Sequence, residues 1–70
     1  MSNGNQKNLF LALFEVNQRV QAQPWTDSWM SGDRYGTVTT IGHVYVHVLM
    51  ERSGKVKRFA PENLREVGSG

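Results

Sequence analysis

Four cations cluster in the second half of the chain and offer its densest charged chemistry. Arg52, Lys55, Lys57 and Arg58 are four of the eight Lys and Arg residues among 70. Arginine forks onto phosphate, and neighbouring aromatic rings stack on bases. The cluster therefore predicts a surface for nucleic acid or another protein, although Lys and Arg at a hairpin tip are also typical of a solvated strand edge.

Two tryptophans, Trp25 and Trp29, lie four residues apart in a segment bounded by Pro24 and Gly32. A small core needs large aromatic side chains, whereas exposed tryptophan is a frequent centre of protein interfaces. We predict that one ring covers an open end of the fold and the other contacts a partner. A protein-binding role predicts that Trp29→Ala abolishes binding without unfolding the chain; unfolding would assign Trp29 to the core.

The predicted partner-binding residues combine these cations and rings with outward positions on a neighbouring strand. The set is Trp25, Trp29, Arg34, Tyr45, His47, Arg52, Lys55, Lys57 and Arg58. The row formed by Tyr45, His47 and Leu49 is also a candidate surface for self-association into a homo-oligomer. The apolar residues among 9–13 are candidates to pack across that row.

No residue pattern predicts catalysis, a metal or a cofactor. His43 and His47 have the spacing of a helical metal site, but they fall at a turn and on a strand, and the chain has no cysteine. The carboxylates have no apolar surroundings in sequence that would shift a pKa, and Asp33 is expected to be a turn residue. There is no phosphate loop or nucleophile elbow. A non-enzymatic function is favoured.

Length and composition bound the remaining possibilities. Seventy residues allow one domain, and the net charge of +2 permits an anionic partner without requiring one. The absence of cysteine excludes disulfides and fits a reducing compartment. The apolar run over 9–14 is too short to span a membrane and lacks a signal cleavage site, so a cytoplasmic location without a membrane partner is expected.

Short strands must position these side chains. Residues 14–22 alternate between apolar and polar and predict a first strand, with a helical turn as an alternative for the residues just before it. Further strands are predicted over 35–41, 44–50, 55–59 and 65–67, with a loop over 23–33, turns at 42–43 and 53–54, and a helical 3₁₀ turn near 60–64.

Five short strands with tight turns predict an all-β fold, a small barrel whose closure removes exposed strand edges. The expected organisation is a disordered N-terminal segment over 1–8, a barrel over 9–67, and a flexible tail or cloning remnant over 68–70. No internal repeat interrupts this order.

The strand segments carry a resemblance. The succession FEVNQRVQA, GDRYGTVTTI, VYVHV and SGKVKRFAPENLREV resembles the SH3-like small barrels of bacteria and phage over about residues 14–67. Phe59, Pro61, Asn63 and Leu64 match the 3₁₀ turn and final strand that close such barrels. Asn17 stands where the pattern often has glycine. The resemblance implies a five-stranded SH3-like barrel, encoded by a phage or another mobile element.

Three members of this broad group give different functional expectations. The closing segment over 54–67 resembles type II dihydrofolate reductase, but Lys57 and Arg58 replace the amide and aliphatic groups of that enzyme's pore, so its activity is disfavoured. Gly36 to Val38 is similar to the strand of KOW modules, whose basic loops contact RNA. Trp25, Trp29 and Tyr35 are similar in type to a Tudor aromatic cage.

The sequence as a whole favours a non-enzymatic binding or adaptor module. Its contact surface is expected to combine the loop over 23–33 with the basic hairpin over 51–58, and its partner is nucleic acid or a protein. A small structural subunit, or a self-associating barrel within a larger assembly, is the alternative that the residues leave open.

Overall fold

Five short antiparallel strands form one sheet in the computed structural model, which describes residues 9–68. The strands are β1 (Arg19–Ala22), β2 (Tyr35–Ile41), β3 (Val46–Met50), β4 (Val56–Phe59) and β5 (Leu64–Glu66). They lie side by side in the order β4-β3-β2-β1-β5. The predicted fold class, a small all-β domain with a 3₁₀ turn before its last strand, is confirmed; that turn is Pro61–Asn63.

The core lies on the inner face of this sheet. On β3, the side chains of Val46, Val48 and Met50 point into the core, and the residues between them point outward, as the two-residue period of a strand requires. The buried apolar side chains are Leu11, Phe14, Val20, Ala22, Val38, Val46, Val48, Met50, Phe59 and Leu64. The predicted strand over 44–50 starts two residues too early, because β3 begins at Val46 and Val44 is 59% exposed.

The first strand is shorter than the predicted span of 14–22. Asn17 has a φ of 75°, in the left-handed region, and the chain turns there before β1 begins at Arg19. The turn stays bonded to the sheet, since the Asn17 amide donates to the Val38 carbonyl at 2.7 Å and the Val38 amide donates to the Gln18 carbonyl at 2.9 Å. Asparagine tolerates this conformation better than most residues do.

The segment predicted as a loop over 23–33 contains a single helical turn, α1 (Asp27–Met30). Thr26 caps it, because the Thr26 hydroxyl accepts a hydrogen bond from the Trp29 amide at 3.1 Å. Asp27 in the first turn adds a favourable interaction with the helix dipole. The turn thereby directs Trp29 and Ser28 toward the sheet and leaves Met30 exposed.

The sheet does not close by strand pairing. Over residues 9–68, β4 pairs with β3 and β5 pairs with β1, so each of these end strands keeps one unpaired side. The prediction that closure removes exposed edges is therefore wrong at the level of hydrogen bonds. The 3₁₀ turn Pro61–Asn63 links the two end strands and packs against the 3₁₀ helix Leu9–Leu13.

That N-terminal helix settles the alternative left open before β1. Leu11 enters the core, so this segment packs at the 3₁₀ turn as part of the core instead of serving as a cover for the outward row of β3. The predicted disordered segment over 1–8, and residues 69–70 of the predicted tail, lie outside the described residues. Within the described part of the chain, no helix is long and apolar enough to cross a membrane.

Candidate partner-binding groove

The loop that carries the tryptophans and strand β4 form the two walls of a groove of about 510 Å³. Residues 25–28 line one wall, and residues 57–60 line the other. Tyr45 and Asn63 complete the lining. The two segments that the sequence nominates as a joint contact surface are therefore neighbours, although they lie about thirty residues apart in the chain.

A buried carboxylate anchors the loop to β4. Asp33 is only 4% exposed, and its carboxylate lies 2.9 Å from the Lys57 ammonium. It also accepts hydrogen bonds from the Ser53 hydroxyl at 2.7 Å and the Ser53 amide at 3.1 Å. The hydrogen bonds from Lys57 and Ser53 hold the pKa of Asp33 below its usual value, because they stabilise the ionised form.

Ser28 extends this anchor into α1. Its hydroxyl donates to the Asp33 carbonyl at 2.6 Å and lies 3.4 Å from the Lys57 ammonium. Asp33 was expected to be an ordinary turn carboxylate with an unshifted pKa, and that expectation is wrong. The shift depends on Ser53 and Lys57, which are distant in sequence, so local composition around Asp33 carried no sign of it.

The two tryptophans have opposite roles. Trp29 packs against the hydrophobic core, whereas Trp25 is 62% exposed at the rim of the groove. The Trp25 indole N–H donates to the Asn63 side-chain carbonyl at 2.8 Å, which holds the ring against the 3₁₀ turn. The position of Trp29 agrees with the prediction that one ring covers the core, and contact of the other ring with a partner stays a prediction. Trp29→Ala does not test binding alone, because Trp29 is the ring in contact with the core.

Arginine side chains stack on aromatic rings around this region. The Arg58 guanidinium lies 5.2 Å from the centre of the Tyr45 ring at the groove. The Arg34 guanidinium lies 4.2 Å from the centre of the Trp29 ring, and its Nε donates to the Trp29 carbonyl at 3.1 Å. Arg58 therefore presents its charge to the groove, while Arg34 fastens the end of α1.

The structure brings together part of the predicted set. The groove is lined by Trp25, Tyr45, Lys57 and Arg58. A second depression of about 360 Å³ adjoins it through Lys57 and includes the other two cations of the cluster, Arg52 and Lys55. Trp29, Arg34 and His47 do not line either depression.

Sequence reasoning missed two polar residues that shape the site. Ser28 braces Lys57, and Asn63 holds Trp25. The position of Asn63 directly after Pro61 and Glu62 in a 3₁₀ turn was the available signal, since such a turn presents its side chains at a strand junction. Ser28 had no comparable signal, because its role appears only once α1 packs on β4.

Other surfaces carry less chemistry. Tyr45 and Leu49 on the outward row are each about two-fifths exposed, with His47 half-buried between them and opposite Arg58 on β4. A depression of about 360 Å³ beside β5 is lined mainly by Leu13, Phe14 and neighbours from the 3₁₀ turn and β5. Across residues 9–68, no cluster of three or more His, Cys, Asp or Glu side chains could hold a metal ion.

Comparison with known proteins adds nothing to this geometry. The chain matches no protein-family model, no curated protein and no solved structure. The groove, with its exposed tryptophan and its cationic wall, is the feature of this chain that bears on function.

Proposed function

We propose that this chain is a non-enzymatic protein-binding module, and that it holds its partner in the groove between the tryptophan loop and β4. The observation that carries the proposal is Trp25, a large aromatic side chain that is 62% exposed yet held in place by a hydrogen bond to Asn63. A pre-ordered aromatic ring loses little conformational entropy on binding, and tryptophan is enriched among the residues that dominate interfaces.

The rigidity of the groove supports the same proposal. Asp33 ties the loop to β4 through Lys57 and to the hairpin through Ser53, so the walls are joined before a partner arrives. Trp25 contributes apolar area on one wall, and Arg58 with Tyr45 contributes charge and a second ring on the other. An apolar anchor beside a few fixed polar groups is the usual composition of a recognition site.

Removal of Trp25 tests the proposal directly. Peptide ligands are selected on the intact chain from a random dodecapeptide display library, and their affinities are measured by fluorescence anisotropy. We expect Trp25→Ala to weaken binding about 30-fold or more, the effect of an interface hot spot worth about 2 kcal/mol. The thermal midpoint should change little, because the ring lies outside the buried core.

Met30→Ala is the matched control, because Met30 is 67% exposed and does not line the groove. It should leave both affinity and stability unchanged. Equal affinities for Trp25→Ala and the unmodified chain would contradict the proposal. Trp29→Ala is a poor test of binding, since loss of its contacts with the core is expected to destabilise the fold.

Nucleic acid is the second candidate partner, and the stacked pair of Arg58 and Tyr45 is the observation that favours it. A guanidinium beside a ring can contact a phosphate while the ring stacks on a base. This role predicts that affinity for a fluorescein-labelled dT15 falls steeply with salt and again in Arg58→Glu. Lys57→Glu is less informative, because it also removes the ion pair with Asp33.

The ion pair between Lys57 and Asp33 also explains why a protein, and not nucleic acid, is the first candidate partner. Lys57 is already neutralised by Asp33, so the groove itself has less free positive charge than the count of four clustered cations indicates. Oligonucleotide binding with a steep salt slope, together with no selected peptide, would reverse this order. A cytoplasmic location and a mobile-element origin stay expectations, and a structural subunit of a larger assembly stays the alternative to a binding module.

A further inference from the structure

We infer that strand β4 takes an extended, acidic segment of the partner protein as an added β-strand. The inference rests on the proposed function and names how the partner binds at that same site. Addition of a strand to a free sheet edge supplies affinity through main-chain hydrogen bonds and specificity through alternate side chains. An added strand needs backbone amides and carbonyls of β4 that make no hydrogen bond within the described chain.

The hydrogen-bond pattern identifies those groups. In an antiparallel pair, alternate residues exchange bonds with the partner strand. The Met50 amide donates to the Lys55 carbonyl at 2.8 Å, and register places Val48 opposite Lys57. Odd-numbered residues of β4 therefore face β3, and the amides and carbonyls of Val56 and Arg58 face away from the sheet.

Nothing else in the described chain uses these outward groups. Across residues 9–68, no backbone or side-chain hydrogen bond connects the main chain of Val56 or Arg58 to the loop or to another strand. The wall of the groove that β4 forms includes Arg58, and Val56 is 57% exposed beside it. Val56 and Arg58, the two outward residues of β4, together supply two donors and two acceptors. These groups are enough for a short ladder of hydrogen bonds with an added strand.

The other end strand, β5, has most of its outward backbone groups already hydrogen-bonded, so β4 is the better edge for an added strand. On β5, register directs Leu64 and Glu66 outward. The Leu64 amide already donates to the Pro61 carbonyl, and the Leu64 carbonyl accepts from the Gln23 side chain at 3.3 Å. Only Glu66 remains for pairing, so a partner strand has little to bond there.

Charge determines what kind of strand fits β4. Arg58 points outward on this strand, and Lys55 and Arg52 lie at its hairpin end. A second copy of the chain that paired through its own β4 would bring its own Arg58 and Lys55 against the cations of the first copy, and like charges brought together across a strand pair destabilise a sheet. A partner segment with carboxylates opposite these cations attracts them, whereas a second copy of the chain would repel them.

The register of an added strand predicts its side-chain pattern. In an antiparallel added strand, the residue opposite Val56 should be apolar, and the residue two positions before it, opposite Arg58, should be Glu or Asp. The intervening residue faces the side of Lys57, whose charge Asp33 already balances. The partner segment is therefore an apolar residue and an acidic residue separated by one position, within an extended run.

The test uses the hexapeptide ETETVT, capped at both ends, titrated into the ¹⁵N-labelled full chain and followed by NMR. We expect the amide resonances of Val56 and Arg58 to shift downfield and exchange more slowly with water. N-methylation of the peptide at its valine and at the glutamate two positions before it removes the two donors that face β4, and KTKTVT reverses the charge. Each change should weaken binding about tenfold or more.

A variant of the chain separates backbone pairing from side-chain contact. Val56→Pro removes an outward amide without breaking a hydrogen bond to β3, at the first residue of an edge strand where proline is tolerated, so the fold should persist. It should weaken ETETVT binding as much as N-methylation does. Val56→Thr keeps the amide and serves as the control, with affinity within about threefold of the unmodified chain.

The outcomes distinguish this inference from the function on which it rests. Undiminished binding of the N-methylated peptide, or undiminished binding by Val56→Pro, overturns strand addition. Failure of ETETVT to shift the β4 amides at millimolar concentration also overturns it. In either case the proposed function survives if library-selected peptides still depend on Trp25, and it fails only if they do not.

Discussion

At the scale of single residues, Asp33 has the largest influence on the site. It is the one charged side chain among the buried residues of the described chain, and it receives Lys57 from β4 and Ser53 from the hairpin. A buried carboxylate that loses its partners carries an unmet desolvation cost. Its neighbours therefore matter for the shape of the groove as well as for stability.

The lowered pKa of Asp33 predicts how stability depends on pH. The ionised carboxylate stabilises the fold above its unfolded pKa of about 3.9, and that contribution is lost as pH falls through this value toward the lower folded pKa. Asp33→Asn should reduce the free energy of unfolding at pH 7 and flatten its decline between about pH 5 and 2. Urea denaturation at several pH values measures both effects.

Glu51→Gln is the control for this prediction. Glu51 also has a lowered pKa, because Arg19 donates hydrogen bonds to it, but the pair is about half exposed at the surface. Solvent screens such a pair, so its loss should change stability less than the loss of Asp33. Equal effects of the two substitutions would show that Asp33 is not the anchor described here.

At the scale of elements, the entry to β1 depends on the conformation of one residue. Asn17 has a φ of 75°, which is costly for residues other than glycine by about 1–2 kcal/mol. Asn17→Gly should be as stable as the original chain or more so. Asn17→Val should lower the thermal midpoint by about 4–8 °C for each kcal/mol lost, as measured by circular dichroism.

Asn17→Gly and Asn17→Val form a matched pair, because both remove the same amide side chain and only valine is strained at a positive φ. A valine variant as stable as the glycine variant would mean that the left-handed turn does not limit β1. If the prediction is correct, the turn and not the side-chain chemistry of Asn17 sets where the first strand begins.

The elements also show what sequence could predict. Alternation located β2 and β3 well, because β-branched residues and two-residue burial leave a direct pattern. The same pattern placed the start of the first strand too early, at residue 14, because alternation continues through the turn at Asn17. It missed α1 because one helical turn is too short for a period, and the cap by Thr26 is its main local signal.

At the scale of the whole molecule, the site was predicted in outline and not in detail. Clustering of Trp and Lys or Arg in two segments indicated a joint surface, and the groove joins those segments. Which tryptophan faces outward depends on the orientation of α1. The neutralisation of Lys57 depends on Asp33, twenty-four residues away in sequence, so charge counting alone overstated the free cationic surface.

The most direct test of the central claim is the location of partner contact on the intact chain. An NMR titration of the ¹⁵N-labelled chain with a library-selected peptide should move the Trp25 indole resonance together with the amides of Arg58 and Asn63. That result would place the partner between the tryptophan loop and β4. Shifts centred instead on Leu13 and Leu64, at the depression beside β5, with the Trp25 indole unmoved, would contradict the account.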